Sequence, residues 1–136
     1  MNVLILDDDI FNRRILCHAL CLDGWNAMAF DENADVLGLI RQLDIGVLIT
    51  DYDLKPMLTG LDVIETIRKA GISIPALILS GNVHRIDRHR AKRLNVSAIV
   101  EKPASFGALK KILSESVIAG RQIDDETPNA DNFGTA

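Results

Sequence analysis

Short apolar runs punctuate the chain at regular intervals. Val3–Leu6 (VLIL), Val47–Thr50 (VLIT) and Ala76–Leu79 (ALIL) are each too short to make a helix alone. Such runs fit strands buried on both faces. Trp25–Phe30 and the short Ala98–Glu101 complete a set of five strands. Between them, apolar residues recur at helical spacing. Phe11, Ile15, Leu16, Ala19 and Leu20 mark a first helix, which ends near Asp23-Gly24. Val36, Leu37, Ile40 and Leu43 lie on one face of a second helix over Ala34–Leu43. The loop DYDLKPMLTG leads to a third over Leu61–Ala70, closed by Gly71 and Pro75. A basic fourth helix covers Arg85–Leu94. The fifth runs from Ser105 to Ala119, with Phe106, Leu109, Ile112, Leu113 and Val117 inward. Strictly alternating strands and helices argue for an α/β fold with a parallel sheet and helices on both faces. The compact domain is therefore expected over 1–119. Residues 120–136 are polar, acidic and aperiodic, and read as a disordered tail or the start of a linker.

Composition narrows the class. The chain has 136 residues, enough for one real core. Hydrophobic residues make up 48% and charged residues 25%, as in soluble globular proteins. A formal net charge of -4 excludes a nucleic-acid binder held by bulk electrostatics. No apolar run approaches the roughly 20 residues that span a bilayer. MNVLILDDD lacks the basic start of a signal peptide, so a cytoplasmic location is expected. Cys17 and Cys21 fit that reducing compartment better than a disulfide framework. Cys17-His18-x-x-Cys21 lacks a fourth zinc ligand, so both thiols are expected in the core. His84 and His89 read as exposed polar residues. HRIDRHRAKR holds five Arg/Lys against one Asp, which makes either a solvated helix face or a surface for an acidic partner.

The chemistry stands at strand ends. In open α/β sheets, ligands bind beyond the carboxyl ends of the strands. Strand one ends in Asp7, Asp8 and Asp9, strand three in Asp51, strand four in Ser80 and strand five in Lys102. Converging carboxylates call for a cation, and oxygen donors open to phosphate suit Mg²⁺. Lys102 then faces the acidic cluster or an incoming phosphoryl group as a point charge. The Ser80 hydroxyl can donate to a phosphoryl oxygen. Asp8 or Asp9 can cap the first helix, and Asp9 is assigned mainly to that task. Together these groups suit phosphoryl transfer to an aspartate.

ILDDD, LITDYDL, LILSG and EKP, in this order on the strand ends, resemble the receiver domain of two-component response regulators. The resemblance covers Met1 to about Ala119. It implies a flavodoxin-like five-stranded sheet of order 2-1-3-4-5 with five helices. It implies Asp51 as phosphoacceptor for a histidine kinase or phosphotransfer protein. It implies Mg²⁺ or Mn²⁺ held by Asp7, Asp8, Asp51 and the backbone carbonyl of Asp53. Ser80 matches the hydroxyl residue that turns toward the phosphoryl group, Gly81 a small residue that keeps the acceptor accessible, and Lys102 the phosphoryl-pairing lysine. The Lys102-Pro103 bond is expected to be cis. Such a module is not a turnover enzyme. It assists its own phosphorylation and dephosphorylation and switches a surface of the fourth helix, fifth strand and fifth helix toward a partner or a homodimer. No output domain is expected within these 136 residues, which form either a stand-alone receiver or one cut from a longer protein. Three positions depart from the pattern. Ile99 stands where the family commonly has Tyr or Phe. The Asp51–Gly60 loop is one residue longer than usual, with Pro56 shifted by one. Asp53 adds a carboxylate beside the acceptor.

Two rival readings remain at this level. Asp7-Asp8-Asp9 also resembles the D-x-D nucleophile motif of haloacid-dehalogenase-type phosphatases, with Asp7 attacking. Ile10-Phe11 follow where that family usually has Gly-Thr, and it usually carries a cap or long insertion. A pseudo-receiver that only binds partners is the other.

Overall fold

The computed structural model describes residues 1–123. In chain order the elements are β1 (Asn2–Leu6), α1 (Ile10–Leu22), β2 (Asn26–Phe30), α2 (Val36–Gln42), β3 (Val47–Asp51), β4 (Asp53–Leu54), β5 (Leu58–Thr59), α3 (Gly60–Lys69), β6 (Ala76–Ser80), α4 (Arg88–Arg93), β7 (Ala98–Glu101) and α5 (Phe106–Ile123). Five strands form one parallel sheet in the order β2-β1-β3-β6-β7. Counting only its own members, that is the expected 2-1-3-4-5.

The apolar strand runs explain the two-layer cover. Successive strand side chains point to opposite faces. Val3, Ile5, Val47, Ile49, Leu77 and Val100 pack with Leu20, Leu109, Leu113 and Val117 of α1 and α5. Leu4, Leu6, Leu48, Ile78 and Ile99 pack with Ile40 of α2, Leu61, Ile64 and Ile67 of α3, Ala91 of α4, and Leu94 just after it. Each fully buried Leu or Ile contributes about 1.5–3 kcal/mol over leaving it exposed.

Some expectations change. On α1, Phe11 and Ile15 point outward, 74% and 68% exposed. The buried face is Leu20, flanked by Leu16 and Cys17. Cys21 is exposed rather than core, although both thiols donate to the Ala27 carbonyl. The basic helix starts three residues later than expected. Val83–Arg85 form a separate 3-10 turn, and Ile86 is extended so that its side chain enters the core. Asp87 then caps α4 by accepting the Arg90 N–H. The loop after Asp51 folds into the hairpin β4/β5 around Lys55-Pro56-Met57, where Lys55-Pro56 is cis and Met57 has φ +116°. Thr59 and Asp62 close a capping box at the start of α3. The fifth helix continues to Ile123, so residues 120–123 belong to it. The rest of the expected tail lies outside the described residues. No helix among the described residues is long and apolar enough to cross a membrane.

Candidate functional site

A parallel sheet brings the carboxyl ends of all its strands to one edge. Leu6 pairs with Thr50 and Asp51 with Leu79, so Asp7 and Asp51 leave neighbouring strands side by side. The Lys102 N–H donates to the Ser80 carbonyl at 2.8 Å and holds the end of β7 against β6. Residues distant in sequence thus share one rim.

The aspartate triplet divides. Asp9 caps α1, accepting the N–H groups of Phe11 at 2.9 Å and Asn12 at 3.4 Å. Asp7 is buried and its Oδ1 accepts the Asp9 N–H at 2.9 Å. Carboxylate oxygens of Asp7, Asp8 and Asp51 all lie within 4.8 Å of one another. Lys102 Nζ forms an ion pair with Asp51 Oδ1. The donors are all hard oxygens, and three carboxylates against one ammonium leave a negative excess. A hard divalent cation fits that set.

Electrostatics express the same crowding. Burial pushes the Asp51 carboxyl above its ordinary pKa, Lys102 pulls it back, and the Asp7 and Asp8 charges add to the rise. Asp7 is raised as well, first by burial, against the Asp9 N–H and Lys102. A raised folded value means that ionised Asp7 destabilises the fold. The penalty is full above that value and fades as pH falls toward the unfolded value. Asp7→Asn is therefore expected to raise Tm at pH 7 in EDTA by roughly 4 °C, equivalent to about 1 kcal/mol. The gain should shrink as the pH drops toward 3. Thermal unfolding followed by circular dichroism across pH checks both.

The family model for the response regulator receiver domain matches residues 3–114. The chain belongs to this family. The sensor histidine kinase RcsC of Salmonella typhi is 25% identical over 114 residues, covering 84% of this chain and 12% of that protein. The chain thus spans about an eighth of that relative's length. A receiver domain from Clostridium thermocellum superposes with a TM-score of 0.79 at 20% identity, covering 90% of this chain and 98% of that one. The response regulator TrrA of Thermotoga maritima, solved in complex with Mg(2+)-BeF, superposes with a TM-score of 0.73 at 21% identity, covering 85% and 97%. Receiver domains are phosphoacceptor signalling modules rather than conventional enzymes, they pair with histidine kinases, and they bind Mg²⁺ at an acidic pocket. Family membership sets the phosphatase reading aside. So does Asp9, whose carboxylate caps α1 instead of standing as a second acid beside Asp7.

The remaining receiver positions fall as follows. Lys102-Pro103 is cis. Ser80 is buried at the end of β6, and its Oγ accepts the Asn82 N–H at 3.1 Å, which leaves its own O–H available as a donor. A Cβ on Gly81 would meet nothing within 4 Å. Ile99 is buried and faces the α4 side of the sheet. Asp53 opens β4, and its side chain is bound by Arg85.

Two residues at the rim carried no mark in the sequence. Arg13 Nη1 donates to the Asp7 carbonyl at 3.2 Å. Gly60 lies so near the acceptor's backbone that a Cβ would stand 2.7 Å from the Asp51 carbonyl oxygen. A Thr-Gly step at a helix start was the only hint of it. Gly60→Ala is expected to cost about 2 kcal/mol through this clash. It should also slow labelling of Asp51, measured as a lower initial rate with acetyl phosphate.

Proposed function

We propose that this receiver accepts a phosphoryl group on Asp51 from a histidine kinase or histidine phosphotransfer protein and so changes the surface formed by α4, β7 and α5. The observation that carries the reading is the meeting of Asp7, Asp8, Asp51 and Lys102 at one rim. A carboxylate oxygen of Asp51 bonds to phosphorus while the bond from phosphorus to the donor imidazole nitrogen breaks. That nitrogen keeps the electron pair. Lys102, already on the Asp51 carboxylate, follows the charge onto the phosphoryl oxygens. Ser80 supplies a hydroxyl donor from the next strand. Mg²⁺ or Mn²⁺ would supply positive charge against the negative phosphoryl group. Asp7, Asp8, the Asp51 carboxylate and the Asp53 carbonyl would hold it, the first three because their carboxylate oxygens already meet within 4.8 Å.

Contacts between the acceptor and α4 support a switched surface. The Asp51 backbone abuts Gly60, Thr59 and Asp62 cap α3 beside it, and Arg90 of α4 binds Asp62 at 2.8 Å. Arg68 of α3 donates to the Leu94 and Asn95 carbonyls at the other end of α4. With Ile99 in the core, these polar ties replace an aromatic read-out. Exposed Arg88, His89, Lys92 and Arg93 give α4 a basic face suited to an acidic protein partner or a second copy of the chain, in a cytoplasmic setting. Phe11, Ile15 and Leu22 form an exposed apolar strip on α1, whose start adjoins the acidic cluster, and they offer a donor protein a surface there. Incubation with acetyl phosphate and Mg²⁺, read by intact mass, should add one phosphoryl group. An unchanged mass would overturn the reading.

A further inference from the structure

Beside the acceptor stands a carboxylate that nothing in the transfer step requires. Asp53 lies two residues after Asp51, with its side chain 57% exposed and outside the Asp7, Asp8 and Asp51 group whose carboxylate oxygens meet within 4.8 Å. An anionic phosphodonor must approach this edge. Three further carboxylates on the acceptor's side of the sheet would repel it unless some are neutralised.

Arg85 meets that need from another loop. Its Nη2 donates to Asp53 Oδ1 at 2.9 Å and its Nη1 to Asp53 Oδ2 at 3.2 Å, a two-pronged pair across 32 residues of sequence. Its guanidinium also lies 5.6 Å from the centroid of the Tyr52 ring. Arg85 therefore grips both residues that follow the acceptor. The 3-10 turn Val83–Arg85, set apart from α4 by buried Ile86, aims it there. Exposed ion pairs add little to stability, so the consequence of this one lies in the local field and in the placement of the Tyr52-Asp53 segment.

We propose that Arg85 is a positioning residue for phosphoryl transfer, neutralising Asp53 and fixing the segment next to Asp51. This role rests on the acceptor reading above, with the unmasked Asp53 charge opposing the donor. Arg85 acts through Asp53, and the test exploits that dependence. Labelling rates with acetyl phosphate and Mg²⁺ are compared for the wild type, Arg85→Ala, Asp53→Asn and the double variant at low and high salt. Arg85→Ala should label about fivefold more slowly at low ionic strength, with the gap narrowing as salt screens the exposed charge. Asp53→Asn keeps the backbone carbonyl and removes the side-chain charge. The double variant should label within about twofold of Asp53→Asn, since nothing is left to mask. Equal thermal melting of all four proteins separates the effect from folding. Wild-type rates for Arg85→Ala, a slowing independent of salt, or failure of the double variant to match Asp53→Asn would each overturn the proposal while the acceptor reading stands. Loss of wild-type labelling would instead remove the acceptor reading, and this inference with it.

Discussion

Asp51→Asn is expected to leave the protein folded and to reduce labelling by acetyl phosphate at least 100-fold, to background. The fold is expected to survive for a stated reason. Burial already disfavours the ionised carboxylate, and the Asp7 and Asp8 charges add to that. Asparagine keeps the shape and removes one negative charge from the cluster. The ion pair with Lys102 is lost, but Lys102 is partly exposed and can return to solvent. Loss of labelling is then a loss of the nucleophile and not of the structure. The measurement is intact-mass spectrometry beside a thermal melt of the same sample. Residual labelling near the wild-type rate would mean that another carboxylate accepts the group.

The second large effect concerns the metal. Wild-type protein should melt higher as Mg²⁺ is added, because a ligand that binds only the folded state stabilises it. At a concentration 100 times Kd the gain is about 2.7 kcal/mol. Asp8→Asn should weaken Mg²⁺ roughly 30-fold by removing a hard anionic donor, and at the same concentration should lose most of that gain. In EDTA the variant should melt no lower than the wild type, since it relieves repulsion within the Asp7, Asp8 and Asp51 group. Calorimetric titration with Mg²⁺ gives the affinities directly. Equal affinity in both proteins would place the cation elsewhere.

Much of the fold was legible because its signals are local. VLIL, VLIT and ALIL can be buried on both faces only as inner strands, and chirality and connectivity leave few ways to join them. The polar residues ending those strands had to meet, since parallel strands share one carboxyl edge. Other features escaped because their causes are not local. Phe11 and Ile15 keep helical spacing with Leu16 and Leu20, yet α1 turns its Leu16–Leu20 side to the sheet and leaves them outside. The fourth helix breaks where Ile86 enters the core, and no periodicity within HRIDRHRAKR marks the break. Gly60 matters through a backbone approach to Asp51 from across a loop. Arg85 matters through a partner 32 positions away.

The central claim is that Asp51, served by Asp7, Asp8 and Lys102, is the site of phosphoryl transfer. The most direct measurement labels the wild-type protein with acetyl phosphate with and without Mg²⁺, traps the acyl phosphate by borohydride reduction, and maps the modified residue by peptide mass spectrometry. Modification at Asp51 that requires Mg²⁺ is the expected result. Modification at Asp7, Asp8 or Asp53, or labelling at an equal rate in EDTA, would contradict the account.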